Sequence, residues 1–118
     1  MFRKFKFDYD KENDSLFLYD PKSKSKASVE VNDMIIDYNG KKEVTGIELL
    51  DATKLLKELS FEKSGSISLG DIKECQIEII NKHNFFIIKI LLIFLSRDRM
   101  TTPILVPRLT ESSPALYA

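Results

Sequence analysis

A chain of 118 residues is the size of one ordinary domain and can bury a core without disulfides or metals. It is 43% hydrophobic and 31% charged, and its 18 basic residues are matched by 18 acidic ones, unlike the basic excess of a nucleic-acid binder. The single cysteine, Cys75, excludes an internal disulfide and a Cys-x-x-Cys metal pair. One cysteine, with no apolar leader in the opening MFRKFKFDYD, points to the cytoplasm. The longest apolar run, FFIIKILLIFL from Phe85 to Leu95, contains Lys89 and falls short of the roughly 20 residues of a membrane-crossing helix.

The first element alternates. Phe5, Phe7 and Tyr9 face one way and Lys4, Lys6 and Asp8 the other, the pattern of a half-buried strand. KENDS reads as a turn, because Asn, Asp and Ser side chains bond their own backbone, and LFLYD returns as the second strand of a hairpin. Pro21 stops that ladder, and KSKSK reads as a basic loop. ASVEVNDMIIDY is read as one strand with a bend or bulge at Asn32–Asp33. Asn39–Gly40 is a hairpin signal, since both residues tolerate positive φ. VTGIELL is the next antiparallel strand, and Gly46 within it marks a bulge or a close backbone approach. Ala52, Leu55, Leu56 and Leu59 then fall on one face of a helix over about 51–60, with Asp51 placed as its N-cap.

A Ser- and Gly-rich stretch, 60–71, reads as a linker. Beyond it KECQIEII, FFIIKILLIFL and TTPILVPRL read as strands, the last held to a sheet edge by Pro103 and Pro107. Residues 110–118 form a polar tail. The whole is expected to be a single domain, with a core over 1–60 and additional strands over 65–109.

The pieces FDYDKENDSLFLYD and VEVNDMIIDYNGKKEVTGIELLDATKLL resemble the YuzE-like family, a small domain of unknown function, over roughly residues 5–59. The resemblance implies a compact sheet with one packed helix and supplies no catalytic residues. It also implies an antitoxin-like role as an alternative, because relatives occur beside small toxin-like proteins. The segment from about residue 65 departs from the family pattern.

The acids invite a chemical reading. Asp8, Asp10, Glu12 and Asp14 crowd one turn, and hard cations want several oxygens on one loop. The EF-hand spacing fails, however: counting from Asp8 puts Asn13 where Gly is required and Tyr19 where Glu is required. Glu48 and Asp51 can be imagined as an acid–base pair. Simpler roles are a cross-strand partner for Lys41 or Lys42 and a helix cap. His83 sits in a turn with no nucleophile beside it. GSISLG lacks the Lys-Ser/Thr of a phosphate loop.

The apolar strand is the more informative feature. Phe86, Ile88, Ile90, Leu92 and Phe94 share one face, and the opposite face is also largely apolar, so both need cover. The first set is read as an interface. The sequence therefore predicts an α+β protein, mainly antiparallel sheet with one main packed helix. It predicts a non-enzymatic cytoplasmic protein-interaction module acting as a homodimer, with no cofactor, metal, membrane or nucleic acid. The alternatives are an antitoxin-like partner of a small toxin and a metal-dependent or enzymatic site on the Asp8–Asp14 turn. Asp51, Gly46, Asn39 and Gly40 are the expected structural residues.

Overall fold

The computed structural model describes residues 1–59 and 68–107, with Leu59 described by its backbone alone. Most of the expected linker and all of the expected tail lie outside these residues. In chain order the strands are β1 (Arg3–Asp10), β2 (Ser15–Tyr19), β3 (Ala27–Val31), β4 (Met34–Tyr38) and β5 (Val44–Leu49). The helix α1 (Ala52–Leu59) and a 3-10 turn at Leu69–Asp71 follow. Then come β6 (Ile72–Asn81), β7 (Phe85–Phe94) and β8 (Arg99–Pro107).

Among the described residues the strands form one eight-stranded sheet in the order β3-β4-β5-β2-β1-β6-β7-β8, every pairing antiparallel. β1 divides its partners along its length. Lys6–Asp10 pair with β2, and Arg3–Phe5 pair with β6 on the other side. The sheet curls into a half-barrel.

This corrects the α+β expectation. The helical periodicity of 52–59 is real, but α1 has only eight residues and cannot make a layer of its own. Most of the inner face of the sheet is covered by the sheet's own curl. Leu16, Leu18, Ile36, Ile47 and Leu49 from the first strands share one core with Ile77, Ile88, Ile90 and Leu92 from the later ones. α1 adds Ala52 and Leu56, both fully buried, and meets β8.

One turn differs from expectation, and a second forms with its left-handed residue elsewhere. Asn32–Asp33 is a two-residue hairpin turn between Val31 and Met34, with Asn32 at φ 53°, so the expected single strand is two, β3 and β4. The hairpin expected from Asn39–Gly40 is present and joins β4 to β5 over 39–43. The Asn39 side-chain oxygen accepts the N–H groups of Lys41 and Glu43 at 2.9 and 3.0 Å, and positive φ falls on Lys42 instead. A Cβ on Gly40 would meet only the Lys26 side chain, at 3.9 Å.

Candidate functional site

Strand alternation turns Asp8 and Asp10 of β1, Ser15 and Phe17 of β2, Asp37 of β4 and Glu48 of β5 to the outer face. They line an open depression of about 310 Å3. The register explains the grouping: Asp8 lies across from Phe17, Phe17 from Glu48, and Asp10 from Ser15. Gly46 lies opposite Asp37, beside a register shift between Asp37 and Tyr38. A Cβ there would come within 2.8 Å of Asp37 Oδ2 and 3.3 Å of the Phe17 ring. The missing side chain thus lets Asp37 and Phe17 lie close over the strand. Phe17 stacks on Tyr19 with ring centroids 5.1 Å apart.

The carboxylates of the depression are held by neutral donors. Ser15 Oγ donates to Glu48 Oε2 at 2.9 Å, and Ser28 Oγ to Asp37 Oδ1 at 2.6 Å. Asn13 Nδ2 donates to Asp10 Oδ2 at 2.7 Å, and this bond, aided by backbone N–H groups, holds the Asp10 carboxyl below its ordinary range. A concavity of this charge disfavours anions.

The acids of the Asp8–Asp14 turn do not converge. Asp8 and Asp10 face outward, Glu12 is exposed at the tip, and Asp14 turns toward the helix. Among the described residues no group of three or more His, Cys, Asp or Glu is placed to hold a metal ion.

Asp14 is the acid whose role the sequence hid. At φ 50° it leaves the β1–β2 turn and reaches the first turn of α1. Its Oδ2 accepts the Thr53 N–H at 3.0 Å, its Oδ1 accepts the Thr53 hydroxyl at 2.7 Å and the Tyr9 hydroxyl at 2.6 Å, and its carbonyl accepts the Ala52 N–H at 2.8 Å. Burial works to raise its carboxyl, but the bonds from Tyr9 and Thr53 outweigh it and hold the group below its ordinary value. Asp51 keeps the N-cap position, but the side-chain acceptor for the first turn is Asp14. Asp51 is exposed at φ 49°, and its backbone carbonyl accepts the Leu55 N–H while Asp14 takes the side-chain role. Glu48 and Asp51 form no acid–base pair, since Glu48 lines the outer depression beside Ser15.

Phe86, Ile88, Ile90 and Leu92 lie in the core, and Phe94 is half-buried against it. They pack within the chain, so the face of β7 left for a partner is the other one. Its register continues across neighbouring strands: Ile80 pairs with Ile87 and Ile87 with Leu105, while Leu91 and Ile93 lie further along β7. His83 is exposed. Cys75 is fully buried, and burial pushes its thiol up to about 12, which makes it inert as a nucleophile. No helix among the described residues is long and apolar enough to cross a membrane.

Residues 6–52 match a family model described as a protein of unknown function, DUF2283. The chain is 42% identical over 74 residues to an uncharacterized protein of Methanocaldococcus jannaschii, covering 55% of this chain and 64% of that protein. It is 33% identical over 87 residues to a putative hypoxanthine phosphoribosyltransferase of Methanosarcina mazei, covering 67% of this chain and 71% of that protein. The chain thus spans a little less than two thirds of the first relative's length. No solved structure matches it.

Proposed function

We propose a non-enzymatic protein-interaction role, exercised as a homodimer in the cytoplasm, for this chain, whose residues 6–52 match the DUF2283 model of proteins of unknown function. The finer assignment to the YuzE-like family rests on the resemblance over residues 5–59, which the 6–52 match overlaps.

The observation that carries the interaction reading is the outer face of β6, β7 and β8. Ile80, Phe85, Ile87 and Leu105 stand together there and Leu105 is 62% exposed, whereas Leu91 and Ile93 lie beyond Lys89 among Gln76, Thr101, Glu74 and Arg99. Contiguous apolar surface of this kind marks a place where another surface docks. The outer face of the first strands carries the acids Asp8, Asp10, Asp37 and Glu48, and the first turn of α1 holds the Asp14 carboxylate.

The test is a photo-crosslinking amino acid at position 87 of the full chain, expressed in its own host. A discrete adduct, absent when the same group replaces exposed Lys22, is expected. Absence of any adduct above that control overturns the interaction reading. In parallel, light scattering of the purified protein is expected to give twice 13.6 kDa. A monomer at every concentration overturns the homodimer.

A further inference from the structure

The sheet ends in two edge strands, β3 and β8, and their backbones differ. Proline has no N–H, so within a ladder its nitrogen must point away from the paired strand. In β8 this makes Arg99, Thr101, Pro103, Leu105 and Pro107 the residues whose backbone faces outward. Pro103 and Pro107 interrupt that row of donors, and a further strand cannot pair along it without gaps.

β3 has no such block. It holds no proline, and among the described residues its far side has no strand. A two-residue turn makes its flanking residues, Val31 and Met34, a hydrogen-bonded pair. Alternation along the ladder then turns the N–H and C=O groups of Ser28 and Glu30 away from β4. Ala27, Ser28 and Glu30 are exposed, and Val29 and Val31 are half-buried.

Charge along this edge is divided by end. Lys22, Lys24 and Lys26 precede β3, whereas Glu30 and Asp33 close it, and all five side chains are exposed. The lysines stay close to the strand because the loop is tied down. Asp20 Oδ1 accepts the Lys22 N–H at 3.0 Å, Ser25 and Thr45 share a hydroxyl bond of 3.0 Å, and the Lys26 N–H donates to the Tyr38 carbonyl at 2.7 Å.

We propose that two copies of the chain meet at β3. The strands pair antiparallel about a two-fold axis at Val29, so that Ser28 of each copy exchanges backbone hydrogen bonds with Glu30 of the other. Antiparallel pairing sets the basic end of each strand beside the acidic end of its neighbour, twice, whereas parallel pairing would set like charges together. The two curled sheets then run into one, and the apolar face of β6–β8 stays free on each copy for a different protein. This rests on the homodimer reading and assigns its surface.

Sedimentation equilibrium of the full chain tests it. Ser28→Pro removes an outward donor while leaving the β3–β4 bonds in place, and is expected to raise the dimer Kd about tenfold or more. Glu30→Lys is expected to weaken the dimer in low salt, and adding Lys24→Glu and Lys26→Glu to it is expected to restore association. The charge series decides the matter if the proline variant fails to fold by circular dichroism. A wild-type dimer unmoved by Glu30→Lys and, where it folds, by Ser28→Pro overturns the β3 assignment and leaves the homodimer standing. A wild-type monomer at every concentration overturns both.

Discussion

Asp14→Ala is the sharpest probe of how this fold is held. The carboxylate accepts three hydrogen bonds that join the β1–β2 turn, Tyr9 of β1 and the first turn of α1. Loss of a capping side chain costs about 0.5–2 kcal/mol. Alanine at φ 50° also meets the left-handed penalty of about 1–2 kcal/mol that Asp partly escapes. The expected loss for Asp14→Ala is therefore about 2–3 kcal/mol, and for Asp14→Asn, which keeps an acceptor and tolerates the backbone, about 1 kcal/mol. Urea denaturation of both variants, with Asp51→Gly as the comparison, measures this. Asp51→Gly removes the carboxylate first read as the cap and suits φ 49°, so it is expected to be neutral or stabilising by up to about 1 kcal/mol.

The pH dependence sharpens the test. The native Asp14 carboxyl lies below its ordinary value of 3.8. Its contribution is whole above that value and disappears as pH falls through the lower native one. The stability gap between wild type and Asp14→Asn should hold from pH 7 to about 5 and narrow as pH falls below 3.8, while the other carboxylates cancel in the difference. If Asp51→Gly cost more than Asp14→Ala, or if the gap to Asp14→Asn were flat through this range, the capping argument would fail.

Two further outcomes follow from the core. Thr102 is fully buried on β8, and its hydroxyl has no partner among the described residues. Thr102→Val should therefore stabilise the protein by about 1 kcal/mol in the same urea titration, where any loss would reveal a hidden partner. Cys75 should react with a chromogenic disulfide reagent only as fast as the protein opens, so its rate should rise with urea in step with unfolding. Rapid labelling in native buffer would contradict its burial.

Local pattern carried much of the fold, and its limits can be placed. Alternation in FRKFKFDYD locates β1 and its inner side, with Phe5 buried and Lys4 exposed. It failed where a turn was too short to stand out. VNDM looks like a bend within one strand, yet Asn32 at φ 53° is enough to reverse the chain. Asn39–Gly40 marked a real hairpin between β4 and β5, though not its left-handed residue. The Asn39 side chain bonds two backbone N–H groups ahead of it, which lengthens the turn and moves positive φ to Lys42. The cap on α1 was out of reach for another reason. Asp14 and Thr53 are 39 residues apart, and Asp51, directly before the helix, offered an adequate local answer. Both faces of β7 were visibly apolar, but the sequence could not say which one the chain would cover itself. The register to Ile77 and Ile79 on one side and to Thr102 and Ile104 on the other decides it.

The division of β1 explains why a match over 6–52 coexists with a core that extends beyond it. Lys6–Asp10 belong to the ladder with β2, and that ladder runs on through β5 and β4 to β3, all inside the matched residues. Yet Leu16, Leu18, Ile36, Ile47 and Leu49 have almost no exposed surface, and five strands with a helix that begins at the edge of the match do not supply that cover alone. The remainder comes from Leu56 of α1 and from the inner faces of β6, β7 and β8, which join the sheet through Arg3–Phe5. At about 0.8 kcal/mol per buried methylene, leaving even a few of these side chains wet would cost more than a small domain can spare. The later strands are therefore part of what keeps the first five folded. Any partner that grips their outer face acts on a sheet whose inner face is already committed.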